Sequence, residues 1–277
     1  MKKLLIIIAL LCLSIPTFGA SWQIQEAREY YAKGQYNQAL NAITTAINSS
    51  NYEDVESYKI RADIYLKLND KVNAIKDLTS AINNSNDKSL YLKRAYLYLS
   101  INEFEKAFYD FGSSMQKGNG ESTRSANIGY IKIAQNVKAP IYVRVQALEM
   151  ISAIYAYNNK LEEQTAAIMK MVQLIALAPE NDMVFVKVIE KPKSQAIVEI
   201  KKSIISSFDN NPVLNEIFEG WYEYAIGNKE LGNKIINGTI NEYQRRNPND
   251  TKRIMLLKNL TNAVKNSIDN GLPNNSL

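Results

Sequence analysis

The 277-residue sequence contains no histidine and a single cysteine, Cys12. Without histidine, neither Ser-His-Asp nor Cys-His catalysis is available, and the commonest zinc and haem ligands are missing. No segment matches the phosphate-binding pattern G-x-x-x-x-G-K-[ST]. Glycine and proline are also scarce, at 11 and 7 residues, which is typical of a helical chain. We therefore expect no catalytic residues, no metal site and no cofactor.

Residues 1–20 have the three parts of a secretory signal peptide. Two lysines precede an apolar run, Leu4–Leu13, which is too short to span a bilayer. Cleavage is expected near Gly19 or Ala20, so that Cys12 leaves with the peptide and no disulfide forms. The predicted location is the periplasm or cell envelope, with secretion as the second choice and no stable membrane insertion after cleavage. An uncleaved membrane anchor is the alternative.

The formal net charge is +5, and loss of the two lysines of the signal peptide leaves 5 − 2 = +3. The excess of basic residues is spread over several pairs late in the chain. Nucleic-acid binding requires a denser basic patch with aromatic residues between the charges. The charge pattern therefore predicts solvated helix faces and no nucleic-acid partner.

One pattern of small and aromatic residues occurs three times, with a period of about 34 residues. Each copy holds an alanine, a tyrosine three residues later, a turn residue, a second alanine, a bulky residue and another small residue. The second alanines lie 35 and 33 residues apart. The three copies are Ala27, Tyr30, Gly34, Ala39, Ile43, Ala46, then Ala62, Tyr65, Asn69, Ala74, Leu78, Ala81, and Ala95, Tyr98, Asn102, Ala107, Phe111, Ser114.

This spacing predicts a pair of helices in each copy. Residues three and four apart share one face of a helix, and small residues there let two backbones approach closely. Gly34, Asn69 and Asn102 fall where the chain must turn, and each tolerates the left-handed conformation. One helix pair cannot bury its own apolar face, so successive pairs must stack and share a core.

The pattern resembles the tetratricopeptide repeat, over residues 21–119. The proline that often closes a repeat is absent, and tyrosines at 58 and 91 stand where the family has tryptophan. The resemblance implies an all-α, right-handed α-solenoid of helix-turn-helix repeats with a C-terminal capping helix. It also implies a non-catalytic module that binds another protein.

In this family the first helices of successive repeats line a concave groove that takes an extended peptide or a partner helix. Some members hold a C-terminal carboxylate with a lysine-asparagine clamp, but Ile24 and Arg28 stand at the corresponding positions of the first repeat. The alternative for Tyr31 and Tyr96 is that they only pack against neighbouring first helices. The groove positions carried over from the family are Arg28, Tyr31, Lys59, Asp63, Leu66, Lys67, Leu92, Tyr96 and Leu99, with Ile24 beside them.

Beyond the third repeat the pattern stays helical but loses its signature. Residues 120–248 are predicted to form degenerate helical hairpins, 249–270 a capping helix and 271–277 a disordered tail. The β-branched segment 183–189 could form a strand in isolation, but the helical surroundings favour a short helix.

Two further patterns are weak candidates for chemistry. The Ser-x-x-Lys strings Ser85–Lys88 and Ser114–Lys117 are expected by chance, because serine and lysine are common here and no companion motif accompanies them. Several carboxylates could act as acid–base groups, but a solvated helix face explains them better. They are Glu162, Glu163, Glu216, Glu219, Glu223 and Glu230.

The predicted function is binding of a protein or peptide in the groove of the first helices. An enzyme or small-ligand binder built on residues 121–270 is one alternative, and a deep cavity with converging carboxylates would favour it. A self-assembling structural component is the other alternative. Light scattering tests for such a homo-oligomer, because a constant monomer mass excludes it.

Overall fold

The computed structural model is all-α, which confirms the predicted fold class. No strand occurs in the residues that it describes, which are 22–49, 54–116, 119–206, 208 and 211–273. The helices there are α1 (22–32), α2 (Tyr36–Ser49), α3 (Val55–Lys67), α4 (Lys71–Asn83), α5 (Ser89–Ser100), α6 (Phe104–Ser114), α7 (Gly120–Gln135), α8 (Ile141–Tyr157), α9 (Leu161–Leu177), α10 (Val184–Lys187), α11 (Lys193–Ser206), α12 (Pro212–Ala225), α13 (Lys229–Arg246) and α14 (Thr251–Asn270). No described helix combines the length and the apolar character needed to cross a membrane.

The chain divides into two compact units, an N-terminal unit that ends at Ile101 and a C-terminal unit that begins at Asn102. The sequence placed a boundary after the third repeat, between residues 119 and 120. The structural division instead falls at the turn inside that repeat. The physical reason is that α6 packs against α7, where the ring of Phe111 lies 5.9 Å from the ring of Tyr130.

Left-handed residues end the first helices of the repeats, as predicted. Gly34, Asn69 and Asn102 have φ angles of 73°, 59° and 62°. After Asn69, the backbone N–H of Asp70 donates to the carbonyl of Tyr65 at 2.8 Å, which satisfies one of the carbonyls that a helix end leaves open. The carboxylate of Asp70 then caps the N-terminus of α4. Each turn therefore ends one helix and starts the next within a few residues.

The first and second alanines of the three copies have no exposed surface, so these predicted small residues do lie at helix contacts. They are Ala27, Ala39, Ala62, Ala74, Ala95 and Ala107. An alanine side chain leaves room for a second helix to approach, and larger residues fill the space beside it. The buried alanines of the repeat pattern therefore stand where paired helices approach each other closely.

Each hairpin core of the N-terminal unit is completed by the first helix of the next hairpin. Ile43 of α2 belongs to a buried cluster that also contains Ile64 of α3. Leu78 of α4 belongs to a second cluster that contains Leu90 of α5. This sharing is the stacking that the repeat pattern predicts, since neither hairpin buries its apolar face alone.

In the C-terminal unit, a glycine lets α6 and α7 approach. A Cβ atom on Gly129 would lie 2.3 Å from two ring carbons of Phe111, closer than non-bonded carbons come. A similar contact joins α12 and α13, where a Cβ on Gly232 would lie 2.6 Å from the carbonyl oxygen of Gly220. In these two hairpins, glycine thus allows the close approach of helices that alanine allows in the repeats.

Helix α14 covers the last hairpin, as a capping helix should, but it also packs along α9. The indole N–H of Trp221 in α12 donates to Thr261 of α14 at 3.2 Å. On the other side, Lys170 of α9 donates to the carbonyl of Ile268 at 3.1 Å, and Ser267 donates to a carbonyl of α9. Helix α9 also contacts α8, α11 and α12, so the C-terminal unit is built around it.

The segment 183–189 contains a helical turn, α10, so the choice of helix over strand is confirmed. The prediction of disorder from residue 271 onward is wrong at Leu272. This side chain is buried, and its carbonyl accepts a hydrogen bond from Gln135 at 2.7 Å. Residues 274–277, like the predicted signal peptide at 1–20, lie outside the described residues.

Candidate functional site

The nine predicted groove residues lie on the first helices of the repeats, α1, α3 and α5. On α3, Lys59, Asp63 and Lys67 are four residues apart and share one stripe. On α5, Leu92, Tyr96 and Leu99 form the matching stripe. We call the surface formed by the nine residues, together with Glu56 and Lys93, the first-helix face.

Ion pairs join the three helices of the first-helix face. Arg28 of α1 contacts the carboxylate of Glu56 on α3 at 3.0 Å, and Lys59 contacts the same carboxylate at 3.3 Å. One turn further along α3, Asp63 accepts a hydrogen bond from Lys93 of α5. These pairs link α1 to α3 and α3 to α5, so Arg28, Lys59 and Asp63 lie on one surface. Their role in binding stays a prediction.

Sequence reasoning missed Glu56 and Lys93. A signal for Glu56 was available, because charges of alternating sign occupy positions 56, 59, 63 and 67 at the spacing of one helix stripe. For Lys93 no local signal existed, since its partner lies 30 residues away on another helix. Both residues supply the pairs that align the helices.

The aromatic and aliphatic residues of the first-helix face are partly buried. The ring of Tyr31 packs edge-on against that of Tyr36, with centroids 5.6 Å apart, and Leu66 packs on the core of the second hairpin. Tyr96 is partly buried, and this burial raises the pKa of its hydroxyl. Tyr31 therefore packs on the second helix of its own hairpin, and part of each side chain still faces outward.

The charges of the first-helix face remain accessible. The side chains of Arg28 and Glu56 are each half exposed, and Lys67 is exposed and makes no hydrogen bond or ion pair with any described residue. Four cations stand against two carboxylates, so the face carries a net charge of +2 at neutral pH. The cations are Arg28, Lys59, Lys67 and Lys93, and the carboxylates are Glu56 and Asp63.

A buried ion pair lies beneath this face, inside the second hairpin. The guanidinium of Arg61 on α3 donates two hydrogen bonds to Asp77 on α4, at 2.7 and 2.8 Å. These bonds raise the pKa of Arg61 further above its usual range. Arg94 and Asp110 occupy the same positions of the third repeat, and Asp110 is also buried. The sequence carries a signal for the pair of Arg61 and Asp77, because an arginine directly precedes the first alanine in both the second and the third copy.

The residues considered for catalysis do not converge. The hydroxyl of Ser85 accepts a hydrogen bond from the backbone N–H of Asp87, while Lys88 lies over the ring of Tyr91. The buried Ser114 donates to a backbone carbonyl, and Lys117 lies outside the described residues. Ser85 and Lys88 thus have different partners, and this serine lacks the lysine contact that a nucleophile would need.

The carboxylates of the C-terminal unit are engaged separately. Glu162 accepts a hydrogen bond from Asn259, Glu216 from Thr239 and Glu223 from Asn228. Glu219 pairs with Lys201. No group of three or more acidic, histidine or cysteine side chains in the described ranges could hold a metal ion.

Comparison with solved structures finds three tetratricopeptide repeat structures among the similar ones. A tetratricopeptide repeat protein from Parabacteroides merdae is 15% identical, with 88% of this chain and 98% of that chain covered and a TM-score of 0.36. The TPR2AB domain of yeast Sti1, in complex with pHSP90, is 13% identical over 87% and 98%, with a TM-score of 0.35. The TPR domain of P58(IPK) is 11% identical over 91% and 79%, with a TM-score of 0.36.

The sequence matches no protein-family model, and it matches no curated protein.

Proposed function

We propose that the N-terminal unit is a non-catalytic interaction module that binds a peptide or partner protein on its first-helix face. The observation that carries this proposal is the set of ion pairs Arg28–Glu56 and Asp63–Lys93. They align α1, α3 and α5 so that rings, leucines and accessible cations occupy one continuous surface.

The composition of this surface suits a protein partner. Tyrosine and arginine contribute most to binding energy at protein interfaces, because a rigid ring or guanidinium loses little entropy when it is fixed. The half-exposed Tyr31, Tyr96 and Leu92 offer apolar area, and Arg28 and Lys67 offer hydrogen-bond donors. With a net charge of +2, the face favours a partner segment that carries carboxylates.

We further propose that the protein acts outside the cytoplasm, in the periplasm or cell envelope. Support comes from the sequence of residues 1–20, whose basic start and short apolar run are typical of an exported chain. Fractionation of the source cells would test this, and recovery of the protein in the cytoplasmic fraction would contradict it. Mass determination of its N-terminus would separate a cleaved signal peptide from an uncleaved anchor.

The first-helix face is tested with the double variant Arg28→Ala, Lys67→Ala. Both side chains are accessible, so the helical circular dichroism should not change, whereas binding of a partner captured from the source cell envelope should weaken. Loss of two charge-assisted contacts is expected to weaken the affinity by about tenfold or more. The measurement is a titration of the purified partner by calorimetry.

The matched control is Lys71→Ala, Lys76→Ala, which removes two cations from the second helix α4. If this control weakens binding as much as the double variant does, the partner responds to net charge and not to the first-helix face. Unchanged affinity in the Arg28, Lys67 variant would reject the proposed site.

A further inference from the structure

A cleft runs between α11 and α12 of the C-terminal unit, with a volume of about 470 Å³. Ligand pockets commonly enclose 300–1,000 Å³. Each wall is a single helix stripe, since the contributing residues recur every three or four positions. The apolar part of the lining consists of Ile197, Val198 and Ile205 from α11 with Phe218 and Tyr222 from α12.

The cleft leaves apolar surface open to solvent. Val198 keeps 48% of its surface exposed, although its neighbours in the cleft are apolar, and Ile197 and Tyr222 are only half buried. A core-facing stripe of an amphipathic helix would normally be covered. Burial of this surface by the apolar part of a ligand would be favourable, because it removes hydrocarbon from water.

Positive charge lies beside the apolar lining. Lys201 forms an ion pair with Glu219, and its amine lies 5.7 Å from the centre of the Phe218 ring. Lys202 also lines the cleft, is exposed, and makes no hydrogen bond or ion pair within the described part of the chain. Two lysines and one glutamate give the lining a net charge of +1, and the amine of Lys202 is the group available to an anion.

We propose that this cleft binds a small amphiphile with one anionic head group and an apolar chain. The head group contacts Lys202, and the chain lies on Val198 and on the partly exposed Ile197 and Tyr222. A carboxylate, a sulfate and a phosphate monoester share the charge that this arrangement recognises. The site is separate from the first-helix face, so the interaction module proposed above does not depend on it.

The test is a titration of the full chain with decanoate, followed by calorimetry and by amide chemical shifts. Saturable binding with one site is expected, with shifts concentrated in residues 194–222. Lys202→Glu should weaken binding about tenfold, because it replaces attraction with repulsion at an exposed position. Val198→Asp should abolish it by placing a carboxylate on the apolar lining.

Two controls lie on other surfaces of the same unit. Lys252→Glu makes the same charge change on α14, and Val186→Asp makes the same polar change at an exposed valine of α10. Both should bind decanoate like the wild type. Decyltrimethylammonium has a similar chain but the opposite charge, and it should bind much more weakly.

Three results would overturn the proposal. The first is no saturable decanoate binding below about 1 mM. The second is equal affinity for decanoate and decyltrimethylammonium, which would show that the cleft does not discriminate between head groups of opposite charge. The third is binding only of an acidic amphipathic helical peptide to residues 194–222, which would assign the cleft to a partner helix instead.

Discussion

Gly129 offers a sharp test of how α6 and α7 pack. A methyl group at this position would lie 2.3 Å from Cε1 and Cζ of Phe111, whereas ordinary van der Waals contact begins at 3.4 Å. The ring must therefore move by more than 1 Å (3.4 − 2.3 = 1.1 Å). Phe111 has no exposed surface, and Tyr130 lies against it, so the ring has no free space to enter.

The expected cost follows from two opposing terms. Overpacking a core costs about 1–3 kcal/mol, and a displacement of this size belongs at the upper end of that range. Alanine is favoured over glycine inside a helix by about 1 kcal/mol, which offsets part of the cost. We expect Gly129→Ala to lower the free energy of unfolding by about 2 kcal/mol.

Gly238 provides the matched control, because it is an exposed glycine inside α13. A methyl group added there would have no neighbouring atom within 4 Å. Gly238→Ala keeps only the favourable term and should raise the free energy of unfolding by about 0.5–1 kcal/mol. Both glycines belong to the C-terminal unit, so the two effects refer to the same transition.

Urea unfolding followed by circular dichroism measures both variants. Opposite signs for Gly129→Ala and Gly238→Ala are the predicted outcome. Adding Phe111→Leu to Gly129→Ala should recover part of the loss, since the shorter side chain removes the ring atoms that clash. If Gly129→Ala proves as stable as the wild type, the close approach of α6 and α7 described above is incorrect.

Three further outcomes are expected. Asp77→Ala leaves the guanidinium of Arg61 buried without its partner and should cost about 3–5 kcal/mol in urea unfolding, while Arg61→Met with Asp77→Leu should recover most of it. Asn69→Ala forces a left-handed alanine and should cost about 1 kcal/mol, whereas Asn69→Gly should not. Hydrogen bonds from Lys229 and Tyr224 lower the pKa of Asp269, so its contribution to stability is complete above about pH 4 and is lost as pH falls through its folded pKa. Melting temperatures of Asp269→Asn should therefore depend less on pH below about 4.

The fold of the N-terminal unit could be predicted from the sequence because its determinants are local. Each alanine, each turn residue and each bulky residue acts within its own hairpin, and the period repeats them in register. Asn69 shows this well, since its left-handed conformation follows from its place between two helices. The third repeat could be predicted because its pattern is also local, although the two compact units divide between Ile101 and Asn102, at the turn of that repeat.

The C-terminal unit could be predicted only as a series of helices. The contact of α14 with α9 includes a hydrogen bond from Ser267 to Ala166, which are 101 residues apart. A serine that faces a distant carbonyl leaves no periodic trace in the sequence. Position 129 leaves no periodic trace either. It must be glycine because the ring of Phe111 on the preceding helix occupies the space of a side chain. Long-range contacts of this kind determine how the helices are arranged, and periodicity does not report them.

The candidate site was predictable to a similar degree. Family positions located Arg28, Lys59 and Asp63 on the correct helices, because the repeat register is itself local. That Arg28 contacts Glu56 could not be derived, since the register alone does not say which side chains of neighbouring helices meet. The cleft between α11 and α12 carried no signal either, because a groove is defined by the separation of two helices.

The ion pairs of the first-helix face bear on how a partner would engage it. Exposed ion pairs contribute only about 0–1 kcal/mol, because solvent screens them and two long side chains must be ordered. Exchange of the Glu56 carboxylate for a carboxylate of the partner would therefore cost Arg28 little. Lys67 has no described contact to lose. Loss of the exposed pair between Arg28 and Glu56 should also cost little stability. Joint substitution of Arg28 and Lys67 is therefore expected to weaken binding while the helices stay folded.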